Sequence, residues 1–105
     1  MALKLNRHEE EGIQVLRVSG EVDLYSSPEL RIAVQTLLDR AKDRVHIDLS
    51  GVAYMDSSGV ATLVEGMRNA RACDVAFVLY APSESVMKVL TLSRLDSVFD
   101  IIETG

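Results

Sequence analysis

The segment best equipped for chemistry is Asp56-Ser57-Ser58-Gly59, in which two hydroxyls follow a carboxylate and precede a glycine. Beyond it, Val60, Leu63, Val64, Met67 and Ala70 recur at helical spacing, so the serines stand at a helix entry. Serines there commonly cap free backbone N–H groups, and Gly59 keeps the entry uncluttered. On residue type alone, capping is the simpler account. A second role needs one further condition, that Ser58 be exposed. A hydroxyl at a helix N-terminus faces free N–H groups and the positive end of the helix dipole, and both favour a phosphate. Phosphorylation would add about −1.5 to −2 charges and three acceptor oxygens. Nearby carboxylates oppose that charge. A phosphoserine here is tolerable to its own fold and repulsive to an acidic partner surface.

The other reactive residue types are sparse. His8 and His46 are the only histidines, and Cys73 is the only cysteine. No Cys/His/carboxylate spacing suggests a metal site, and no cofactor is implied. No Gly-rich loop with a following Lys-Ser/Thr is present, and neither serine sits in a nucleophile elbow with a histidine base. The chain therefore reads as a non-enzyme. Cys73 is expected to be a half-buried residue at a helix end. Met55, Met67 and Met87 are expected to fill the core, and Glu9-Glu10-Glu11 to form a solvated turn.

These residues need elements to hold them. Leu3 and Leu5, then Ile13 to Ser19 with its alternation, predict an N-terminal hairpin. Ser27 as cap, Pro28 at the first position and Glu29 in the first turn predict a helix start. Leu30, Ala33, Val34, Leu37, Leu38 and Ala41 give that helix its apolar stripe. Val45 to Ser50 predicts a strand with Val45, Ile47 and Leu49 on one side, and His46 and Asp48 on the other. Gly51 to Asp56 leads into the second helix. Val75 to Tyr80 reads as a central strand buried on both faces. Pro82-Ser83-Glu84-Ser85 opens a short third helix, and Leu95 to Ile102 predicts a turn of helix and a last strand. The order is that of an α/β fold, with a mixed central sheet of four to five strands and about four helices.

The chain has 105 residues and a net charge of −5. That length suits one domain spanning 1–105. The acidic balance argues against nucleic acid and against an anionic membrane surface. The start of the chain turns polar too soon for a signal peptide, and no apolar run is long enough to span a membrane. One thiol forms no internal disulfide, which suits the cytoplasm. A monomer is expected.

Three pieces in fixed order carry a resemblance: Gly20-Glu21-Val22-Asp23 after a strand, Asp48-Leu49-Ser50 ending another, and Met55-Asp56-Ser57-Ser58-Gly59 entering a helix. Together they resemble the STAS family, in particular its anti-sigma factor antagonist branch, along essentially the whole chain. The resemblance implies a cycle. The unphosphorylated antagonist binds an anti-sigma factor that is also a serine kinase, and a sigma factor is freed. The kinase phosphorylates the second serine, here Ser58 rather than Ser57, and the complex parts. A PP2C-type phosphatase resets it. Asp23, Asp56, Ser57, Gly59 and Val60 are the partner-facing residues that the resemblance implies. A second branch of the family serves as cytoplasmic subunits of ABC-type lipid transporters, and the Asp56 to Glu65 segment is similar to that branch too. A phosphoaspartate receiver, with Asp48 as acceptor, is a further alternative. It lacks the early acidic pair and the late lysine that such chemistry needs.

Overall fold

The computed structural model describes residues 2–104. The chain opens with β1 (Lys4–Glu10) and β2 (Ile13–Val22), an antiparallel hairpin. Glu11 and Gly12 both have positive φ, 50° and 82°, which a two-residue hairpin turn of the right twist requires. That turn is tight enough to keep Glu9 and Glu10 in the strand, opposite Gln14 and Ile13. Only Glu11 of the three glutamates is in the turn.

Helix α1 (Ser27–Arg40) begins one residue earlier than the proline suggests. Ser26 is the cap position, and Ser27 is a buried first-turn residue rather than the cap. Strand β3 (Arg44–Met55) is twice the expected length. Its second half, Gly51 to Met55, pairs with the end of β2 across two register shifts, and the irregularity hides the alternation in sequence. Helix α2 (Ser57–Ala72), β4 (Ala76–Tyr80), α3 (Glu84–Leu92) and β5 (Asp100–Ile102) follow. Ser83 caps α3, its hydroxyl accepting the Val86 N–H at 3.3 Å. Leu95 to Phe99 is a turn closed on the Leu95 carbonyl, so among the described residues three helices stand where about four were expected.

The sheet order is β1-β2-β3-β4-β5, with β1 antiparallel and the rest parallel. Each crossover steps to the next strand, and right-handed connections then place α1, α2 and α3 on one face. Their stripes meet Leu16, Val18, Ile47, Leu49, Phe77 and Leu79 in one core. Leu30, Val34 and Leu37 come from α1, Leu63, Met67 and Ala70 from α2, and Val86 and Leu90 from α3. Met55 and Met67 are core residues as expected, and Met87 packs against the core half-buried. In β4, Phe77, Val78 and Leu79 are all buried, as the unbroken apolar run suggests. Val78 stands apart from the main core, in a row across the sheet with Val15 and His46.

Candidate functional site at the start of helix α2

The ends of β2 and β3 deliver two loops to one place. Val22 lies opposite Met55, and the carbonyl of Val22 accepts the N–H of Asp56 at 3.1 Å. The first turn of α2 is thereby fastened to the residue that precedes Asp23.

Asp56 is the cap of α2. Its Oδ1 accepts the Ser58 N–H at 2.9 Å, and its carbonyl accepts those of Gly59 and Val60 at 3.1 and 3.2 Å. A carboxylate placed there also complements the helix dipole. Ser57 and Ser58 therefore occupy the first two helical positions and are not caps. Ser57 is exposed and Ser58 is half-buried, so the exposure that a phosphorylatable Ser58 needs is met in part. Among the described residues neither serine hydroxyl has a hydrogen-bond partner; the Ser58 carbonyl accepts the Thr62 hydroxyl at 2.9 Å. The fold leaves both hydroxyls unused.

Gly59 and Val60 face inward. A Cβ on Gly59 would meet Met55 Cγ at 2.7 Å and Val22 Cγ1 at 2.8 Å, so the helix start approaches the strands too closely for a side chain. Val60 is 6 % exposed and belongs to the core. Of the expected partner-facing residues, the structure thus brings Asp23, Asp56 and Ser57 to the surface with Ser58, and it turns Gly59 and Val60 away. Helical geometry is the reason: position 60 shares the face of Leu63 and Met67.

Asp23 is engaged in its own loop. Its Oδ1 accepts the N–H groups of Tyr25 and Ser26 at 3.0 and 2.9 Å, and the Ser26 hydroxyl lies 3.1 Å away. The Ser26 oxygen in turn accepts the Asp23 N–H at 2.9 Å. The backbone N–H of Ser26, with help from its hydroxyl and from Tyr25, holds the Asp23 carboxyl below the usual aspartate range. Sequence reasoning missed what this loop presents: Leu24 is 67 % exposed, Tyr25 90 % and Tyr54, beside Glu21 on the next strand, 50 %. The Asp-x-x-Ser spacing of Asp23 and Ser26 is the signal that an Asx-type turn forms there.

The remaining polar residues lie elsewhere. Asp48 is mid-strand on the opposite sheet face, buried, and accepts from the Ser50 N–H at 3.0 Å, the Ser50 hydroxyl at 2.7 Å and Arg17 Nε at 3.3 Å. A receiver's acceptor needs an open strand end, and β3 continues for seven residues past Asp48 to Met55. His46 stacks on Tyr80, ring centroids 5.5 Å apart, and accepts from Arg44 Nε at 3.0 Å. Burial, then the Arg44 charge, lowers its pKa. Cys73 is exposed at the end of α2, where half-burial was expected. No cluster of potential metal ligands occurs among the described residues, and none of their helices is long and apolar enough to cross a membrane.

Comparison with known proteins agrees with this geometry. A family model described as "Mlab, STAS domain" matches residues 6–103. The anti-sigma-B factor antagonist of Bacillus subtilis (strain 168) is 30% identical over 95 residues, covering 90% of this chain and 85% of that protein. The anti-sigma factor antagonist SpoIIAA has been solved in its unphosphorylated form (TM-score 0.78, 26% identity, 99% of this chain and 89% of that one). It has also been solved in its phosphorylated form, as a Bacillus cell fate determinant (TM-score 0.73, 25% identity, 99% and 92% covered). An anti-sigma factor antagonist from Mycobacterium paratuberculosis shares the fold, with a TM-score of 0.89 at 24% identity over 98% of this chain and 87% of that one.

Proposed function

The chain belongs to the STAS domain family, and we propose that it is a cytoplasmic anti-sigma factor antagonist switched by phosphorylation at Ser58. It is a regulatory binding protein rather than an enzyme, and it works as a monomer without cofactor. Unphosphorylated, it binds an anti-sigma factor that is also a serine kinase. A sigma factor is freed until the kinase modifies Ser58, and a phosphatase of the PP2C type restores the binding form.

The observation that carries this reading is the division of labour between Asp56 and Ser58. Asp56 caps the helix, so the Ser58 hydroxyl has no structural duty and can accept a phosphoryl group without loss of the cap. A phosphate at Ser58 lies in the first turn of α2, where the positive end of the helix dipole softens its cost to the fold. In a complex that covers Ser58, the same charge has to be desolvated beside Asp56. A hundredfold loss of affinity corresponds to about 2.8 kcal/mol, which one buried dianion supplies readily. No large conformational change is needed.

The test is reconstitution. The chain is incubated with ATP and the purified anti-sigma factor kinase of its own organism, and the phosphosite is mapped by mass spectrometry. Stoichiometric phosphate on Ser58 is the expected result. A kinase that binds the chain but never phosphorylates it contradicts the switch.

The Asp56 to Glu65 segment also resembles a second branch of the family. The corresponding alternative is a cytoplasmic subunit of an ABC-type lipid transporter. Affinity purification from the native cytoplasm separates the two. Co-purification of an ABC ATPase with both wild type and Ser58→Asp favours the transporter subunit.

A further inference from the structure

The helices pack on one face of the sheet and leave the other without a helix, yet two valines of that open face are buried: Val15 is 6 % exposed and Val78 3 %. Both lie in one cross-strand row with His46, and the next row sets Arg17, Asp48 and Tyr80 in register. Residues two apart on a strand share a face, so the two rows stand side by side. Together they line a hollow of about 510 Å³, with Glu10 and Glu11 at its hairpin end. That volume suits a small organic molecule.

The polar groups of the hollow are held in place but not used up. Asp48 accepts the Ser50 N–H, the Ser50 hydroxyl and Arg17 Nε. Arg17 reaches it through Nε alone, so the fork of its two terminal nitrogens forms no hydrogen bond among the described residues. Arg31 is the contrast, since it spends both Nε and a terminal nitrogen on Glu65. The His46 and Tyr80 rings stack 5.5 Å apart with their planes 11° from parallel, and the Tyr80 hydroxyl has no partner among the described residues. Arg44, bonded to His46 through Nε, adds a second guanidinium beside the stack. The opposing charges are Asp48, which its three donors shield, and the hairpin pair, of which Glu10 is bonded to His8.

We propose that this hollow binds a small aromatic carboxylate, with its carboxylate on the terminal nitrogens of Arg17 and its ring extending the His46–Tyr80 stack over Val15. A guanidinium fork meets a carboxylate with two parallel hydrogen bonds, a match that a lysine ammonium does not offer. Offset stacking favours a third ring beside two that are already parallel. Asp48 is a positioning residue here: its bond to Nε fixes the guanidinium and leaves the fork for the ligand. Glu10 and Glu11 oppose a second negative charge at the far end, so the ligand has one acid group and an uncharged body. The site stands apart from Ser58, which begins a helix on the other face, and it does not depend on the functional reading above.

The test is a titration of the isotope-labelled full chain, followed by amide and side-chain NMR shifts. The probes are benzoate and 3-phenylpropanoate, each set against its neutral amide, benzamide or 3-phenylpropanamide. Saturable shift changes are expected at Val15, Arg17, His46 and Tyr80, with each amide binding about tenfold or more weakly than its acid. Arg17→Lys keeps a positive charge beside Asp48 but removes the fork, and it is expected to weaken binding of the acids by about tenfold. Tyr80→Ala removes half of the stack and is expected to weaken acids and amides alike. No saturable change with either acid up to about 10 mM overturns the site. Amides that bind as well as their acids overturn carboxylate recognition. Wild-type affinity in Arg17→Lys overturns the role of the fork. Thermal melts of the variants separate lost binding from lost folding, and should Arg17→Lys unfold, the comparison of acid with amide on the wild-type chain decides.

Discussion

Asp56 accepts the backbone N–H of Ser58 at 2.9 Å, so the acidic residue performs the structural work and the serine beside it is left free to react. The pairing also sets the conflict on which a switch depends. A phosphate on Ser58 would stand next to a carboxylate that the helix cannot release without losing its cap.

Removing that cap has a measurable cost. Asp56→Ala is expected to lower stability by about 1 kcal/mol, within the usual range for a lost cap, while Asp56→Asn retains most of it. Chemical denaturation of the two variants checks this. An unchanged midpoint for Asp56→Ala would mean that the Val22 carbonyl alone holds the helix entry.

Gly59→Ala is expected to destabilise by about 1–3 kcal/mol, because the new methyl meets Val22 and Met55 at sub-contact distances. Met55 is flexible and can yield, but β-branched Val22 cannot move without disturbing β2. The comparison variant is Gly12→Ala. A Cβ there has open space around it and strains only a positive-φ backbone, so the loss should be smaller.

His46 gives the fold a pH dependence. Burial and the Arg44 charge keep its imidazole neutral in the folded chain at pH values where a free histidine protonates. The unfolded chain takes up the proton from about pH 6.5 downward. This contribution to stability is complete above that value and is lost as the pH falls towards the lower folded pKa. His46→Phe preserves a ring against Tyr80 and is expected to flatten the slope of midpoint against pH below about 6.5, the unfolded value. An identical slope in the variant would assign the titration to another group.

The two serines should separate cleanly. Ser58→Ala is expected to abolish phosphorylation by the kinase, and Ser57→Ala to leave it within about threefold of wild type. Phosphate that persists on Ser58→Ala would move the site to Ser57, which is the more exposed of the two.

Much of this arrangement is legible in the sequence, and the exceptions have physical causes. The hairpin and the α1 stripe follow from periodicities of 2.0 and 3.6 that bulges do not interrupt, and the burial of β4 from an unbroken apolar run. The second half of β3 is illegible because register shifts near Arg17 and Gly20 break the alternation, and because Gly51 and Ala53 read as loop. The cap of α2 is ambiguous because Asp56, Ser57 and Ser58 are all good caps. Val60 lies on the apolar stripe with Leu63 and Met67, and it is the resemblance that sets it among the partner-facing residues. Leu24 and Tyr25 are the reverse case. Apolar types suggest burial, and only the hydrogen bonds of Asp23 and Ser26 reveal that they are held outside.

The most direct measurement is the affinity of the purified chain for its anti-sigma factor kinase before and after enzymatic phosphorylation, read by calorimetry with the phosphosite mapped on the same sample. The expected result is a single phosphate on Ser58 and a loss of affinity of about a hundredfold or more, with far-ultraviolet circular dichroism unchanged. Equal affinity of the two forms, with Ser58 fully phosphorylated, would contradict the switch.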